Sequence, residues 1–151
     1  MNRILIAIDF NQSAEIVAST GYQLAKAMKA KVMLVHVIAD AAYYAIDYSP
    51  IMGYKGSYTS GTVAVVKEIK KEAKDFLEAA VKHLGDDIIE TAVLDGETAE
   101  AIIEQAEKWQ ADLIVMGSHT HKGLERLFVT DVAAHVLKHS KIPLLAIPVP
   151  E

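Results

Sequence analysis

Hydrophobic positions along this chain fall into two alternating patterns. Short runs rich in Val, Ile and Leu occur at Ile4–Ile8, Val32–Ile38, Ile88–Val93, Leu113–Met116 and Leu144–Val149. Runs of this length read as strands buried on both faces, the kind found in parallel sheets. Between them the apolar residues recur at three- and four-residue spacing, which predicts amphipathic helices. The first helix carries Ala14, Val17, Leu24, Ala25 and Met28, with Asn11 or Ser13 as candidate cap. The second carries Val66, Ile69, Ala73, Phe76, Leu77, Ala80 and Leu84 and closes on Gly85. The third has Ala99, Ile102, Ile103, Ala106 and Trp109. The fourth runs from Leu124 to His139 through Leu127, Phe128, Val132, Val136 and Leu137.

The resulting order, βαβαβαβαβ, predicts an α/β fold: one domain over residues 1–151, with a doubly wound parallel sheet, right-handed crossovers and helices on both faces. Connections are short with one exception. Ala39 to Thr62 holds Tyr43, Tyr44, Tyr48, Tyr54 and Tyr58 with Pro50, Gly53, Gly56 and Gly61. A long Tyr- and Gly-rich connection inside a small domain reads either as a functional flap, which as a further option binds a protein partner, or as a mobile segment.

Composition narrows the function classes. The 151 residues are 52% hydrophobic, enough for a full core, and the net charge is −5. An acidic chain lacks the basic excess of a nucleic-acid binder, so no nucleic-acid partner is expected. Cysteine is absent, which removes disulfides and Cys-ligated zinc. The apolar run at the start ends at Asp9, too short for a membrane span or a signal peptide, so a cytoplasmic protein is expected.

The stretch from Leu113 to Gly123 carries the most chemistry. An apolar run ends at Gly117, a polar loop follows, and a helical pattern begins at Leu124. A strand that breaks on glycine and feeds a helix directs loop N–H groups into one crevice, which suits an anion. Gly117 is read there either as a residue allowing positive φ and close ligand approach or as an ordinary turn glycine. Asp9 follows the first strand. If strands one and four are neighbours where strand order reverses, Asp9 and Gly117 face each other across the crevice. Asp9 then either accepts hydrogen bonds from a base or sugar or caps the next helix.

Thr130 and Asp131 fall inside the fourth helical pattern, where they can bind a hydroxyl or a metal-bound phosphate. Without a metal, Asp131 repels phosphate: two unit charges at about 4 Å cost about 4 kcal/mol at an effective dielectric of about 20. His119 and His121 flank Thr120 and can offer charge or stacking, although a solvated loop is the commoner use. His36, inside an apolar strand, reads as a satisfied core histidine. His135 and His139 share a helix face and in principle chelate a metal, but they read rather as solvated residues near a helix C-terminus. No zincin pattern, Walker loop or nucleophile elbow is present, so neither metal ligands nor catalytic residues are assigned. The proline-punctuated tail, Pro143–Pro150, reads as an edge strand that is either a homodimer contact or covered by its own chain.

Taken together, Ile4-Leu-Ile-Ala-Ile-Asp9, Val35-His36-Val37, Asp112-Leu-Ile-Val-Met-Gly-Ser-His119 and Val136-Leu-Lys-His-Ser-Lys-Ile-Pro143 resemble the universal stress protein family over the whole chain. The resemblance implies a five-stranded sheet in the order 3-2-1-4-5, adenine-nucleotide alpha-hydrolase-like, together with dimers, a cytoplasmic location and a role in stress survival. It places base and ribose at Asp9, Val37 and Met116, and the rest of a nucleotide site at Gly117, His119, Thr120, Thr130, Asp131 and Val132. ATP-binding members carry Gly-x-x-Gly, nine residues, then Gly-Ser or Gly-Thr. Here Gly117 keeps the first place, whereas Thr120, Thr130 and Asp131 replace the others. A β-branched residue forced into a glycine conformation costs about 1–3 kcal/mol, so the loop takes another shape. The expectation is a non-catalytic, homodimeric stress protein with a degraded ATP motif, acting through partner proteins. Adenosine or AMP still fits. The rival is a nucleotide sensor or slow ATPase in which Mg²⁺ or Mn²⁺ bridges ATP to Asp131.

Overall fold

The computed structural model describes residues 1–39, 62–119 and 131–149. Its elements run β1 (Arg3–Ala7), α1 (Ala14–Met28), β2 (Lys31–Ala39), α2 (Thr62–Leu84), β3 (Glu90–Gly96), α3 (Thr98–Trp109), β4 (Leu113–His119), α4 (Val132–His139) and β5 (Leu144–Val149). The five strands form one parallel sheet in the order β3-β2-β1-β4-β5, as expected. β1 pairs with β2 on one side and β4 on the other, so strand order reverses beside it.

Strand alternation divides the core in two. Ile4, Ile6, Val32, Leu34 and Val115 face α1 and α2, while Leu5, Ala7, Met33, Val35, Ile114 and Met116 face α3 and α4. Ile4, Leu5 and Ile6 are 0% exposed, which is why β1 reads as an unbroken apolar run. Burying an aliphatic side chain of this size stabilises the fold by about 1.5–3 kcal/mol. α1 rests directly on the sheet at Gly21: a Cβ there would lie 2.7 Å from Ile6 Cδ1.

Local chemistry sets the ends of the elements. α3 starts at Glu97, whose carboxylate accepts from the N–H groups of Ala99 (3.3 Å) and Glu100 (2.8 Å). α2 is closed at Gly85, as its pattern implies. α1 is entered through Ser13, whose own side chain makes no cap bond. Instead Asn11 Oδ1 accepts from Ser13 N (2.9 Å) and from its hydroxyl. The start of the third strand needs correction. β3 begins at Glu90 rather than Ile88, which is 84% exposed. Asp86 Oδ1 accepts from Ile88 N (3.1 Å), and that local turn removes Ile88 from the sheet. The Tyr-rich connection lies outside the described residues except at its ends.

The amino-terminal edge of the sheet is closed by Asp112. Its Oδ2 accepts from the N–H groups of Asn2 (2.7 Å) and Arg3 (3.0 Å). These bonds, aided by the positive N-terminus and Arg3, hold the carboxyl below its ordinary pKa. Arg3 in turn donates to the Trp109 carbonyl (2.7 Å) and lies over the Trp109 ring.

Candidate functional site

At the carboxyl ends of β1, β2 and β4 the sheet presents a shelf on its α3/α4 face. Met116 and Ala7 are paired in register and belong to the buried cluster on that face, and Val37 packs at its margin. Val132, the first residue of α4, packs against the same cluster. Met116 thus lies in, and Val37 and Val132 border, one apolar cluster on the α3/α4 face.

Asp9 stands beside this shelf. Ile8 N still bonds to the Val35 carbonyl (3.0 Å), after which the chain leaves the sheet. The Asp9 carbonyl accepts from Asn11 N (2.8 Å), which tightens the turn into α1. The Asp9 side chain is exposed and has no hydrogen-bond partner among the described residues. Entry into α1 is shaped by Asn11, whose Oδ1 accepts from Ser13 N, and among the described residues the Asp9 carboxylate caps no N–H. His36 steadies the turn. Its Nδ1 lies 2.8 Å from the Ile8 carbonyl, so that nitrogen must carry the proton, and its ring meets Phe76 edge-on at 5.6 Å. It is satisfied, as expected, although half-buried rather than fully in the core.

Two expectations about the phosphate end need correction. Gly117 does not end a strand, because β4 continues to His119. Gly117, Ser118 and His119 pair with Ile147, Pro148 and Val149 of β5, and this pairing carries the strand past the glycine. Nor does Gly117 adopt positive φ. A Cβ there would lie 3.2 Å from Val17 Cγ2 and 3.4 Å from Val149 Cγ1, so the glycine serves close packing against α1 and β5.

Asp131, in turn, does not lie within a helix. It is the N-cap of α4, and its Oδ1 accepts from Ala134 N (3.2 Å). Helix N-termini prefer such a residue, since its oxygen takes an orphan N–H and its charge suits the positive end of the helix dipole. The carboxylate thus occupies the helix end that would otherwise receive an anion. Thr120 and Thr130 lie outside the described residues, as do His121 and the segment from Leu124 to Phe128. Of His119 only the backbone is described.

A cleft between α1 and α2, about 320 Å³ in volume, escaped the sequence reading. Ile8, Ala18, Phe76 and Leu84 line it, and a Glu15–His83 contact of 3.2 Å lies at its side. No local motif signals it, because its walls come from residues about 60 positions apart. It opens on the α1/α2 side, away from Val37 and Met116. Among the described residues no helix is long and apolar enough to cross a membrane.

Comparison with known proteins gives one consistent result. Residues 1–148 match the model of the universal stress protein family. Universal stress protein MJ0531 of Methanocaldococcus jannaschii is 35% identical over 113 residues, 73% of this chain and 65% of that protein. Universal stress protein MJ0577 of the same organism is 30% identical over 153 residues, 96% of this chain and 93% of that protein. Its solved structure superposes with a TM-score of 0.72 at 25% identity, covering 99% of this chain and 97% of that one. The universal stress protein of Archaeoglobus fulgidus, solved in complex with dAMP, has the same fold: TM-score 0.61, 19% identity, 97% of this chain and 98% of that one.

Proposed function

The chain belongs to the universal stress protein family, and from that premise we propose that it is a non-catalytic, cytoplasmic stress-response protein that acts as a homodimer through partner proteins. Its ligand site accepts the adenosine part of a nucleotide and rejects a triphosphate tail. The Archaeoglobus fulgidus relative, bound to dAMP, supports an adenine nucleotide as the ligand class. In this reading the apolar cluster at Val37, Met116 and Val132 takes the base, and the exposed Asp9 carboxylate accepts from base or ribose. Gly117, His119, Thr120 and Thr130 border the tail. The exposed edge of β5, from Pro143 to Pro150, is the dimer contact.

One observation carries the proposal: Asp131 caps α4 with its own carboxylate. A phosphate approaching that helix end meets a like charge where an ATP-binding member offers a hydroxyl. Calorimetric titration with adenosine, AMP and ATP, with and without Mg²⁺ or Mn²⁺, tests it. Adenosine or AMP should bind, and ATP should bind at least tenfold more weakly. Micromolar ATP affinity in the absence of metal would overturn the proposal. Tight ATP binding that requires the metal would favour the rival, a metal-dependent sensor or slow ATPase in which the ion bridges Asp131 and the phosphates.

A further inference from the structure

α4 carries His135 and His139 one turn apart, with stacked rings whose centroids are 4.2 Å apart and whose planes are inclined by 29°. His139 Nδ1 lies 2.9 Å from the carbonyl oxygen of His135. A carbonyl oxygen only accepts, so Nδ1 carries the proton and Nε2 keeps its lone pair. This is the tautomer of a metal-ligating histidine, whose other ring nitrogen is tied to a backbone carbonyl. His139 is exposed and His135 half-buried, so an ion reaches them without opening the core. His139 is the last residue of an eight-residue helix, whose carboxyl end favours a cation, and His135 lies one turn before it. Lys138, exposed on the same turn, disfavours a cation held by charge alone. Affinity must then come from imidazole coordination, which selects copper, nickel and zinc over magnesium and calcium.

We propose that His135 and His139 chelate one divalent transition-metal ion through both imidazoles, with water completing its shell. Two nitrogens each about 2.0–2.1 Å from one ion lie roughly 3 Å apart, a span on the scale of the 4.2 Å between the two ring centroids. Among the described residues no group of three or more His, Asp or Glu could hold an ion, so the site is open and exchangeable. Sequence spacing alone favoured a solvated pair; the stacking and the fixed tautomer turn the reading toward a ligand pair.

Titration of the full chain with Ni²⁺ and Cu²⁺ tests this. One ion per chain should bind, Cu²⁺ more tightly than Ni²⁺. Ni²⁺ should raise the melting temperature, whereas Mg²⁺ should not. His135→Ala and His139→Ala should each weaken Ni²⁺ binding at least tenfold, while His83→Ala leaves it unchanged. If the double variant binds Ni²⁺ as tightly as the native chain, the ion sits on other histidines and the proposal is overturned. Should either variant fail to fold, NMR of the native protein decides. Substoichiometric Cu²⁺ should broaden the His135 and His139 imidazole signals first, and broadening that spares them overturns the proposal.

Discussion

The two ends of the sheet treat their aspartates in opposite ways. At the amino-terminal edge, Asp112 is bound by the N–H groups of Asn2 and Arg3, and Arg3 is bound in turn to Trp109. At the carboxyl edge, the Asp9 side chain has no hydrogen-bond partner among the described residues, and its turn is shaped instead by Asn11, Ser13 and His36. Residue type and solvent exposure are the same at both edges. What differs is the supply of backbone donors. Strand starts leave N–H groups that a carboxylate can satisfy, whereas strand ends present carbonyls, beside which a carboxylate keeps its acceptors for something else. The amino edge therefore contributes stability, and the carboxyl edge is available for a ligand.

Both edges hang on β1, and the largest expected effect comes from breaking it. Ile6 is fully buried, so Ile6→Ala should cost about 2–5 kcal/mol in urea unfolding. A cost below about 1 kcal/mol would mean that the edges do not share one core. A smaller effect separates the edges themselves. Asp9→Ala should leave stability within about 0.5 kcal/mol of the native chain and weaken adenosine binding about tenfold, near 1.4 kcal/mol. Asp112→Ala should do the reverse, lowering the melting temperature with adenosine affinity intact. If both substitutions acted only on stability, the contrast between the edges would be lost.

The smallest effect is in pH dependence. The Asp112 carboxyl is held below its ordinary pKa by the backbone N–H groups of Asn2 and Arg3. The folded state thus binds this proton less readily than the unfolded state does. The contribution is fully present above the unfolded pKa and is lost as pH falls through the folded one. Melting temperatures of the native chain and Asp112→Asn, followed from neutral pH into the acid range, should converge as the pH drops. Parallel curves would show that Asp112 adds no such term.

Much of this fold was legible because the signals were local. Short runs rich in Val, Ile and Leu marked the five strands, and three- and four-residue spacing marked the helical faces. The misreadings came from interactions that local pattern does not carry. Ile88 is apolar and β-branched, yet the Asp86 side chain turns the chain there before the sheet begins. Gly117 looked like a strand terminator, but pairing with β5 carries β4 on to His119. Asp131 was absorbed into a helical pattern that began at Leu124, although an aspartate before Val132-Ala-Ala is also a plausible cap. Asp9 stood out by its place just after the first strand, whereas Val37 and Met116 were pointed to only by the family resemblance. The α1/α2 cleft and the His36–Ile8 bond depend on residues distant in sequence, which no spacing rule reaches.

The closed phosphate end depends on Asp131, and one substitution separates its charge from its capping role. Serine caps a helix about as well as aspartate, so Asp131→Ser should keep α4 and remove the negative charge. Calorimetric titration of both proteins with ATP in the absence of metal is the direct test, with adenosine as control. ATP should bind the variant at least tenfold more tightly than the native chain, while adenosine binds both alike. Equal ATP affinity in the two proteins would contradict a site closed by the Asp131 carboxylate.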